Sequence, residues 1–233
     1  MYYTDCRKLS DVQVIALRER NLSQGLDVLA QCQQLQIAYL QSNRFLATDL
    51  VHLAKMSKLV KLNLSHNQIT TLPAKEVLAG LKSLRILFLD SNGLQKWKNL
   101  ENLTGIQSLY HLTLLNNPVV QTPGYRHYMV TKMPGLLALD DFIITDEERM
   151  EDVGHGVRFK ALSQFMRLFA PEFKEGLTAE QHLFQVDLEI YKLRRLYEKN
   201  SPSIRIQALF KGFKRRVAHT NYFQKKLKSI IYI

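Results

Sequence analysis

Residues 59–69 read LVKLNLSHNQI, and this stretch decides the fold. Leucine stands at its first, fourth and sixth positions, asparagine at its ninth and isoleucine at its eleventh. The same arrangement returns around three more asparagines, so the aligned set is Asn43, Asn67, Asn92 and Asn117, at spacings of 24, 25 and 25 residues. A fixed period of this length is typical of stacked supersecondary units.

Four apolar positions keep the same distance from the asparagine in every copy. These positions lie eight, five and three residues before the asparagine and two residues after it. In the four copies they are occupied by Leu35, Ala38, Leu40 and Phe45; Leu59, Leu62, Leu64 and Ile69; Leu84, Leu87, Leu89 and Leu94; and Leu109, Leu112, Leu114 and Val119. This pattern, L-x-x-L-x-L-x-x-N-x-L, is the leucine-rich repeat. Because one repeat cannot bury its own apolar face, the repeats stack and share one core. The sequence therefore predicts an α/β leucine-rich repeat solenoid, in preference to a leucine-rich array of amphipathic helices.

The first repeat is degenerate, as terminal repeats of a stack often are. It keeps Val12, Ile15, Leu17 and Leu22 in register and has Arg20 where the other repeats have asparagine. An asparagine side chain offers two donors and one acceptor, so we expect it to satisfy backbone groups where the chain turns away from each strand.

The segment after the last repeat resembles the C-terminal cap of leucine-rich repeat proteins of the phosphatase-regulatory and dynein light chain 1 type. The shared features are Asn117-Pro118, Tyr125-Arg126, Pro134 and the segment 136–140. The resemblance implies a short helix that shields the last core layer, followed by one more strand. It is specific to this class of cap and not to one function.

The residues between the inward-facing leucines are expected on the concave face, because side chains alternate along a strand. The predicted partner-binding set is Ile37, Tyr39, Lys61, Asn63, Ile86, Phe88, Asp90, His111, Thr113 and Leu115, with Gln41 and Ser65 on the same face. Several of these are large and apolar, and exposed apolar patches mark partner sites. The alternative is that residues 141–233 fold back and cover this face.

Helical patterns replace the leucine register after residue 141. A capping box is predicted at 145–148, a helix over 157–169 and a longer helix over about 179–199 that is capped by 178–181. The longer helix carries one apolar face formed by Leu183, Val186, Ile190, Leu193 and Leu196. The chain is thus predicted to have three parts: a repeat domain with its cap at 1–142, a helical extension at 143–200, and a helix with a basic tail at 201–233.

The positive charge is concentrated in the third part. The formal net charge is +11, and residues 201–233 carry eight Lys and Arg and no Asp or Glu. The first 200 residues are therefore nearly balanced. A basic appendage on a balanced scaffold indicates an acidic partner.

Residues 206–216 read IQALFKGFKRR and resemble an IQ motif, I-Q-x-x-x-[RK]-G-x-x-x-[RK]. Such motifs bind calmodulin or a related EF-hand light chain, so the residues predicted to bind it are Ile206, Gln207, Leu209, Phe210, Lys211, Gly212, Phe213, Arg216 and Val217. The apolar members recur at helical spacing, as a Met-rich EF-hand groove requires. The pattern departs at His219, where the motif has a large apolar residue, and Tyr222 and Phe223 follow one turn later. The alternative is a basic amphipathic helix that packs on its own protein.

Repeats, cap and tail together resemble the leucine-rich repeat and IQ domain-containing proteins. The resemblance covers about residues 20–228 and includes GLKSL at 80–84, GYRH at 124–127, LALD at 137–140, TDEE at 145–148 and RFKA at 158–161. That family is associated with motile cilia and sperm flagella. The resemblance implies a structural adaptor in the axoneme, within the cytoskeleton, with calmodulin and radial-spoke, dynein or tubulin-associated proteins as partners.

Other function classes receive less support. The sequence has no Gly-rich phosphate loop and no H-x-x-x-H or C-x-x-C spacing, so we expect no enzyme activity, no metal and no cofactor. With only two cysteines, the sequence predicts no disulfide framework. It contains no apolar run of about 18 residues, so it predicts no membrane span. The basic tail leaves RNA binding in a ribonucleoprotein as one alternative, although the cluster of Lys225, Lys226 and Lys228 also suits an acidic surface such as tubulin. The cap type leaves a phosphatase regulatory subunit as another.

Overall fold

The computed structural model describes residues 8–150 and 173–201, and a parallel sheet runs through the first of these ranges. Its strands are β1 Val14–Ala16, β2 Ile37–Tyr39, β3 Lys61–Asn63, β4 Ile86–Phe88, β5 His111–Thr113, β6 Ala138–Leu139 and β7 Phe142–Ile143. Strands β1 to β6 pair in chain order and in parallel, and β7 turns back antiparallel to β6. The register aligns Ile15, Ala38, Leu62, Leu87 and Leu112 across the sheet, as the repeat predicts.

The α-helices lie between the strands and after the last of them. They are α1 Leu26–Leu29, α2 Lys75–Leu78, α3 Lys98–Leu103, α4 Tyr125–Lys132, α5 Asp146–Met150 and α6 Ala179–Asn200, and 3-10 turns occupy Leu9–Asp11, Asp49–Lys55 and Pro118–Gln121. The short segments α1 to α3 form the opposite, convex layer of the solenoid, α4 belongs to its cap, and α5 and α6 follow the cap. Between the two layers lies one continuous apolar core. It contains the repeat leucines, which are almost fully buried, and extends to Val12 and Ile15 of the degenerate first repeat. The predicted solenoid is confirmed.

The repeat asparagines tie neighbouring layers together. Asn92 is representative: its Nδ2 donates to the carbonyls of Leu64 at 3.0 Å and Leu89 at 2.9 Å, and its Oδ1 accepts from the Ile69 N–H at 3.1 Å. Asn43, Asn67 and Asn117 make the same set of bonds. Each asparagine thus satisfies buried backbone groups of its own repeat and of the preceding one, as expected. The first repeat has Arg20 at the asparagine position, and the Arg20 backbone N–H donates to Asn43 Oδ1 at 3.1 Å.

The residue before each asparagine has a left-handed backbone. The φ angles are 58° at Ser42, 56° at His66, 51° at Ser91 and 58° at Asn116. This conformation disfavours a Cβ, yet none of the four positions is a glycine. The asparagine bonds hold the turn closed and so offset the strain.

The C-terminal cap closes the last core layer as predicted. Helix α4 buries Tyr125, Met129 and Val130 against it. Asp140 takes the role of a repeat asparagine, since its Oδ1 accepts from the Leu114 N–H at 2.8 Å and its Oδ2 accepts from the Tyr125 hydroxyl at 2.9 Å. Burial raises the pKa of Asp140, although these hydrogen bonds and Arg126 oppose that rise.

Two predicted capping boxes begin the helices after the cap. Thr145 and Glu148 exchange reciprocal hydrogen bonds at the start of α5, and Thr178 and Gln181 do so at the start of α6. Helix α6 agrees with the prediction to within one residue. The predicted helix over 157–169 lies outside the described residues, and the three-part division of the chain stays a prediction. Among the described residues, no helix is long and apolar enough to cross a membrane.

Removing one layer-bridging side chain is expected to destabilise the solenoid. In Asn92→Ala, the Ile69 N–H and the Leu64 carbonyl remain buried without their side-chain partner, which we expect to lower the free energy of unfolding by about 2–4 kcal/mol. Gln33→Ala, on an exposed turn, is the control and is expected to change it by less than about 0.5 kcal/mol. Urea unfolding followed by circular dichroism measures both. Equal effects of the two changes would contradict the role assigned to Asn92.

Close backbone packing between adjacent convex segments gives a second prediction. A Cβ on Gly105 would clash with the carbonyl oxygen of Lys75, whereas one on Gly93 would be tight only against the Thr70 methyl, at 3.0 Å, with the Ile69 carbonyl oxygen at an ordinary 3.6 Å. We expect Gly105→Ala to lower the unfolding free energy by about 2 kcal/mol, because backbone must move. Gly93→Ala, where one exposed side chain yields, should stay within about 0.5 kcal/mol of the parent. Thermal unfolding of the two variants and the parent protein under the same conditions measures this difference in stability.

Candidate protein-interaction face

The concave face of the sheet is covered by α6. Residues predicted to lie open for a partner are instead buried, with Ile37 and Ile86 at 0% exposure, Lys61 at 1% and His111 at 2%. The prediction of an exposed apolar patch is therefore wrong. The alternative, in which the C-terminal part of the chain covers the face, is the arrangement found, because one face of α6 is as apolar as the sheet that it meets. A partner for this face stays a prediction.

Aromatic stacking holds the N-terminal end of α6. The ring of Phe173, which precedes the helix, stacks on His182 with centroids 5.1 Å apart and meets Tyr39 edge-on at 4.9 Å. Arg18 lies over the Phe173 ring at 4.9 Å and pairs with Glu175 at 2.9 Å. The turn before α6 is thus fixed to the first two repeats.

An ion pair lies at the centre of the interface. The Lys61 ammonium donates to Glu189 Oε2 at 2.7 Å, and the exposed fractions of the two side chains are 2% and 10%. Apolar contacts surround the pair: Val186 packs against Ile37, Ile86 and neighbouring side chains. Burial raises the pKa of Glu189, but His111 and Lys61 outweigh it and hold that pKa below its usual value.

His111 sits between two carboxylates. Its Nδ1 lies 3.8 Å from Glu189 Oε1, and its Nε2 lies 3.5 Å from Asp141 Oδ1. Its ring also meets Phe88 edge-on at 5.3 Å. Burial lowers the pKa of His111, but the carboxylates of Asp141 and Glu189 raise it to above its ordinary value of 6.5. A protonated His111 therefore attracts the helix and the cap turn at once.

A polar strip continues along the strand ends beside this group. The carboxylate of Asp90 accepts from the Thr113 hydroxyl at 2.5 Å, the Ser65 hydroxyl at 3.3 Å and the Leu115 N–H at 2.9 Å. Asn63 accepts from the Ser65 N–H at 3.0 Å. The polar side chains of these predicted residues thus make hydrogen bonds within the repeat domain, at the ends of its strands.

The C-terminal end of α6 is fixed to the cap. Leu193 packs against Ala138 and Ile143, and the Tyr197 hydroxyl donates to Asp146 Oδ1 at 3.1 Å. Ser201, which ends the helix, donates to Asp146 Oδ2 at 2.6 Å. The chain therefore leaves the described structure beside the cap.

Sequence reasoning found the apolar face of α6 but missed Glu189. The signal was present, since this glutamate stands between Val186 and Ile190 on an otherwise apolar face, and Lys61 stands on the opposing sheet. Opposite charges at the centre of two apolar surfaces indicate that the surfaces meet. The predicted calmodulin-binding residues, 206–217, lie outside the described residues.

Two histidines with opposite pKa shifts predict how stability depends on pH. Burial, and then Lys61, lower the pKa of His182 below 6.5. Its contribution to the unfolding free energy is therefore fully present above pH 6.5 and is lost as the pH falls through the lowered pKa. The contribution of His111, whose pKa is raised, is present below pH 6.5 and is lost as the pH rises through the raised value. Between about pH 5.5 and 8.5 the unfolding free energy should pass through a maximum near the ordinary histidine pKa.

Substitutions separate the two limbs of that profile. In a plot of unfolding free energy against pH, His182→Phe should flatten the rise on the acid side, and His111→Gln should flatten the fall on the alkaline side. His66→Asn, on an exposed turn, should leave the shape of the plot unchanged. Urea unfolding at each pH provides the measurement. A profile that keeps both limbs in both variants would contradict the assignment.

Comparison with known proteins gives matches to the repeats and to the chain as a whole. The leucine-rich repeat family model matches residues 48–164. The leucine-rich repeat and IQ domain-containing protein 3 of Mus musculus is 39% identical over 187 residues, which cover 79% of this chain and 29% of the mouse protein. The Homo sapiens protein of that name is 34% identical over 204 residues, or 87% of this chain and 32% of the human protein. The chain spans about a third of the length of these relatives.

A solved structure supports the same fold. In the Drosophila melanogaster SNF/U2A′ complex, a chain with 30% sequence identity superposes with a TM-score of 0.53, over 59% of this chain and 77% of that one. The resemblance inferred from the repeat, the cap and the tail is confirmed by the two mammalian relatives. By its repeat pattern, its sheet and these matches, the chain belongs to the leucine-rich repeat family.

Proposed function

We propose that this protein is a non-enzymatic adaptor that binds one protein through its repeat domain and calmodulin, or a similar EF-hand light chain, through residues 206–217. The observation that carries the proposal is similarity over 79–87% of the chain to relatives whose name includes both a leucine-rich repeat and an IQ domain. The repeat fold supplies a rigid frame, and functions of this fold reside in surfaces that it presents.

The tail has the chemistry that an EF-hand lobe selects. Ile206, Phe210 and Phe213 supply an apolar stripe, and Gly212 leaves room for close approach of the lobe. Basic residues beside the stripe favour the acidic surface of calmodulin and accelerate association. Because Ser201 is bonded to Asp146, this stripe follows within five residues of a point fixed on the cap.

We further propose that the adaptor works in the axoneme of a cilium or flagellum. This part rests on the family resemblance of repeats, cap and tail. A tagged full-length chain expressed in ciliated cells should localise along the axoneme and remain there after detergent removes the membrane. Uniform cytoplasmic signal would contradict the location and leave the calmodulin proposal standing.

Calmodulin binding is tested directly on the full chain. We expect isothermal titration calorimetry to show binding to the parent protein, with or without calcium, and Ile206→Ala/Gln207→Ala to reduce the affinity at least about 30-fold, because an apolar anchor and its neighbouring amide are lost together. A peptide of residues 201–223 should reproduce the binding. The control variant Lys225→Ala/Lys226→Ala/Lys228→Ala lies beyond the motif and should retain it. No heat of binding under either calcium condition would refute the proposal.

One observation favours a second candidate, binding of RNA within a ribonucleoprotein. The U2 small nuclear ribonucleoprotein A′ of Schizosaccharomyces pombe is 32% identical over 96 residues, or 41% of this chain and 40% of that protein, and the SNF/U2A′ structure shares the fold. The same lysine variant separates the candidates. RNA binding would be strongly salt-dependent and would weaken when the three lysines are removed, whereas calmodulin binding would not.

A further inference from the structure

We propose that the concave face is a groove for an amphipathic helix that carries one buried glutamate, and that α6 is its intramolecular ligand, replaceable by a partner helix of the same pattern. The inference deepens the proposed adaptor function of the repeat domain and does not depend on calmodulin. It assigns to the repeat domain a class of partner and a form of regulation, in which the cis helix keeps the groove closed.

The cover is separate from the core that it lies on. Among the described residues, those of the apolar cluster that fills the solenoid come from the strands, the convex segments and the cap, and none comes from α6. Two buried apolar residues of α6, Val186 and Leu193, belong instead to two small clusters on the concave side. Release of α6 therefore exposes the groove without opening the solenoid core.

The groove selects a charge as well as a shape. Lys61 is buried in the centre of the face, where its ammonium also lies 5.2 Å from the Phe88 ring centroid. A helix that lacks an acid at this point leaves that ammonium buried without an anion, which is strongly unfavourable. The ligand pattern read from α6 is thus an apolar residue at 186, glutamate at 189 and apolar residues at 190 and 193.

The fit of α6 is incomplete, which makes replacement feasible. Among the described residues, His182 Nδ1 of the helix is buried without a hydrogen-bond partner, and Glu189 Oε1 meets His111 Nδ1 only at 3.8 Å, longer than a hydrogen bond. Unsatisfied buried polar atoms weaken an interface. A partner helix that keeps the carboxylate for Lys61 and makes a shorter contact with His111 Nδ1 would bind at least as well as α6.

Release of the cover is tested first, by hydrogen exchange of the full-length chain. Val186→Asp/Leu193→Asp places two carboxylates against the groove and is expected to accelerate exchange across 179–200 at least 100-fold, while β3, β4 and β5 stay protected. Phe184→Asp changes a side chain of the same helix that is 68% exposed and should leave exchange unchanged. Equal loss of protection in α6 and in those strands would overturn the inference, since α6 would then be part of one cooperative core.

Binding in trans is tested next, with a fluorescent peptide of residues 178–201 and the same three proteins. The tethered helix competes at an effective concentration of about millimolar, so the peptide should bind Val186→Asp/Leu193→Asp at least about 100-fold more tightly than the parent or Phe184→Asp. A peptide with Glu189→Gln should bind the released variant at least about tenfold more weakly, because Lys61 keeps no anion.

Two results would overturn the groove. One is the absence of peptide binding to the variant in which exchange shows α6 to be released. The other is equal affinity of the two peptides, which would remove the role of Lys61. Either result leaves the calorimetric test of calmodulin binding unaffected, so failure of the groove and failure of the proposed adaptor tail are told apart.

Discussion

The fold depends on one constraint: each turn that follows a strand leaves buried backbone groups that its own repeat cannot satisfy. The asparagine solves this across the layer boundary, as when Asn67 donates to the carbonyls of both Leu40 and Leu64 and accepts from the Phe45 N–H. Stacking is therefore enforced by hydrogen bonds as well as by the shared apolar core. In the last layer, Asp140 takes over this role, because it accepts from the Leu114 N–H and from the Tyr125 hydroxyl.

The covered concave face follows from the same architecture. A parallel sheet with apolar side chains on both faces is stable when both are buried. The convex segments bury one face, and α6 buries the other along its length from Tyr39 to Ile143. The two buried interfaces differ in kind, because the first is built on a continuous apolar core and the second is centred on the ion pair of Lys61 and Glu189. Burial of the convex-side face stabilises the solenoid itself, whereas α6 covers the concave surface of a solenoid that is already formed.

The sequence predicted those features that depend on local spacing. Repeat register and the apolar face of α6 are encoded in periodic patterns and both capping boxes in short local motifs, whereas the cap was implied by its resemblance to one class of leucine-rich repeat cap. What covers the concave face was not predictable in this way, since Ile37, Ile86 and Phe88 suit a partner and the chain's own helix equally. The left-handed turns at Ser42, His66 and Ser91 also carried no signal, because their conformation is imposed by the asparagine that follows and no glycine marks it.

The bond between Ser201 and Asp146 has a further consequence for geometry. Ile206 lies five positions after Ser201, and five extended residue steps reach at most about 18 Å. A protein that binds the segment beginning at Ile206 is consequently held within this distance of one end of the solenoid. Two proteins bound at the groove and at the tail would be near neighbours, so their sizes and shapes, and not only their affinities, decide whether both are carried at once.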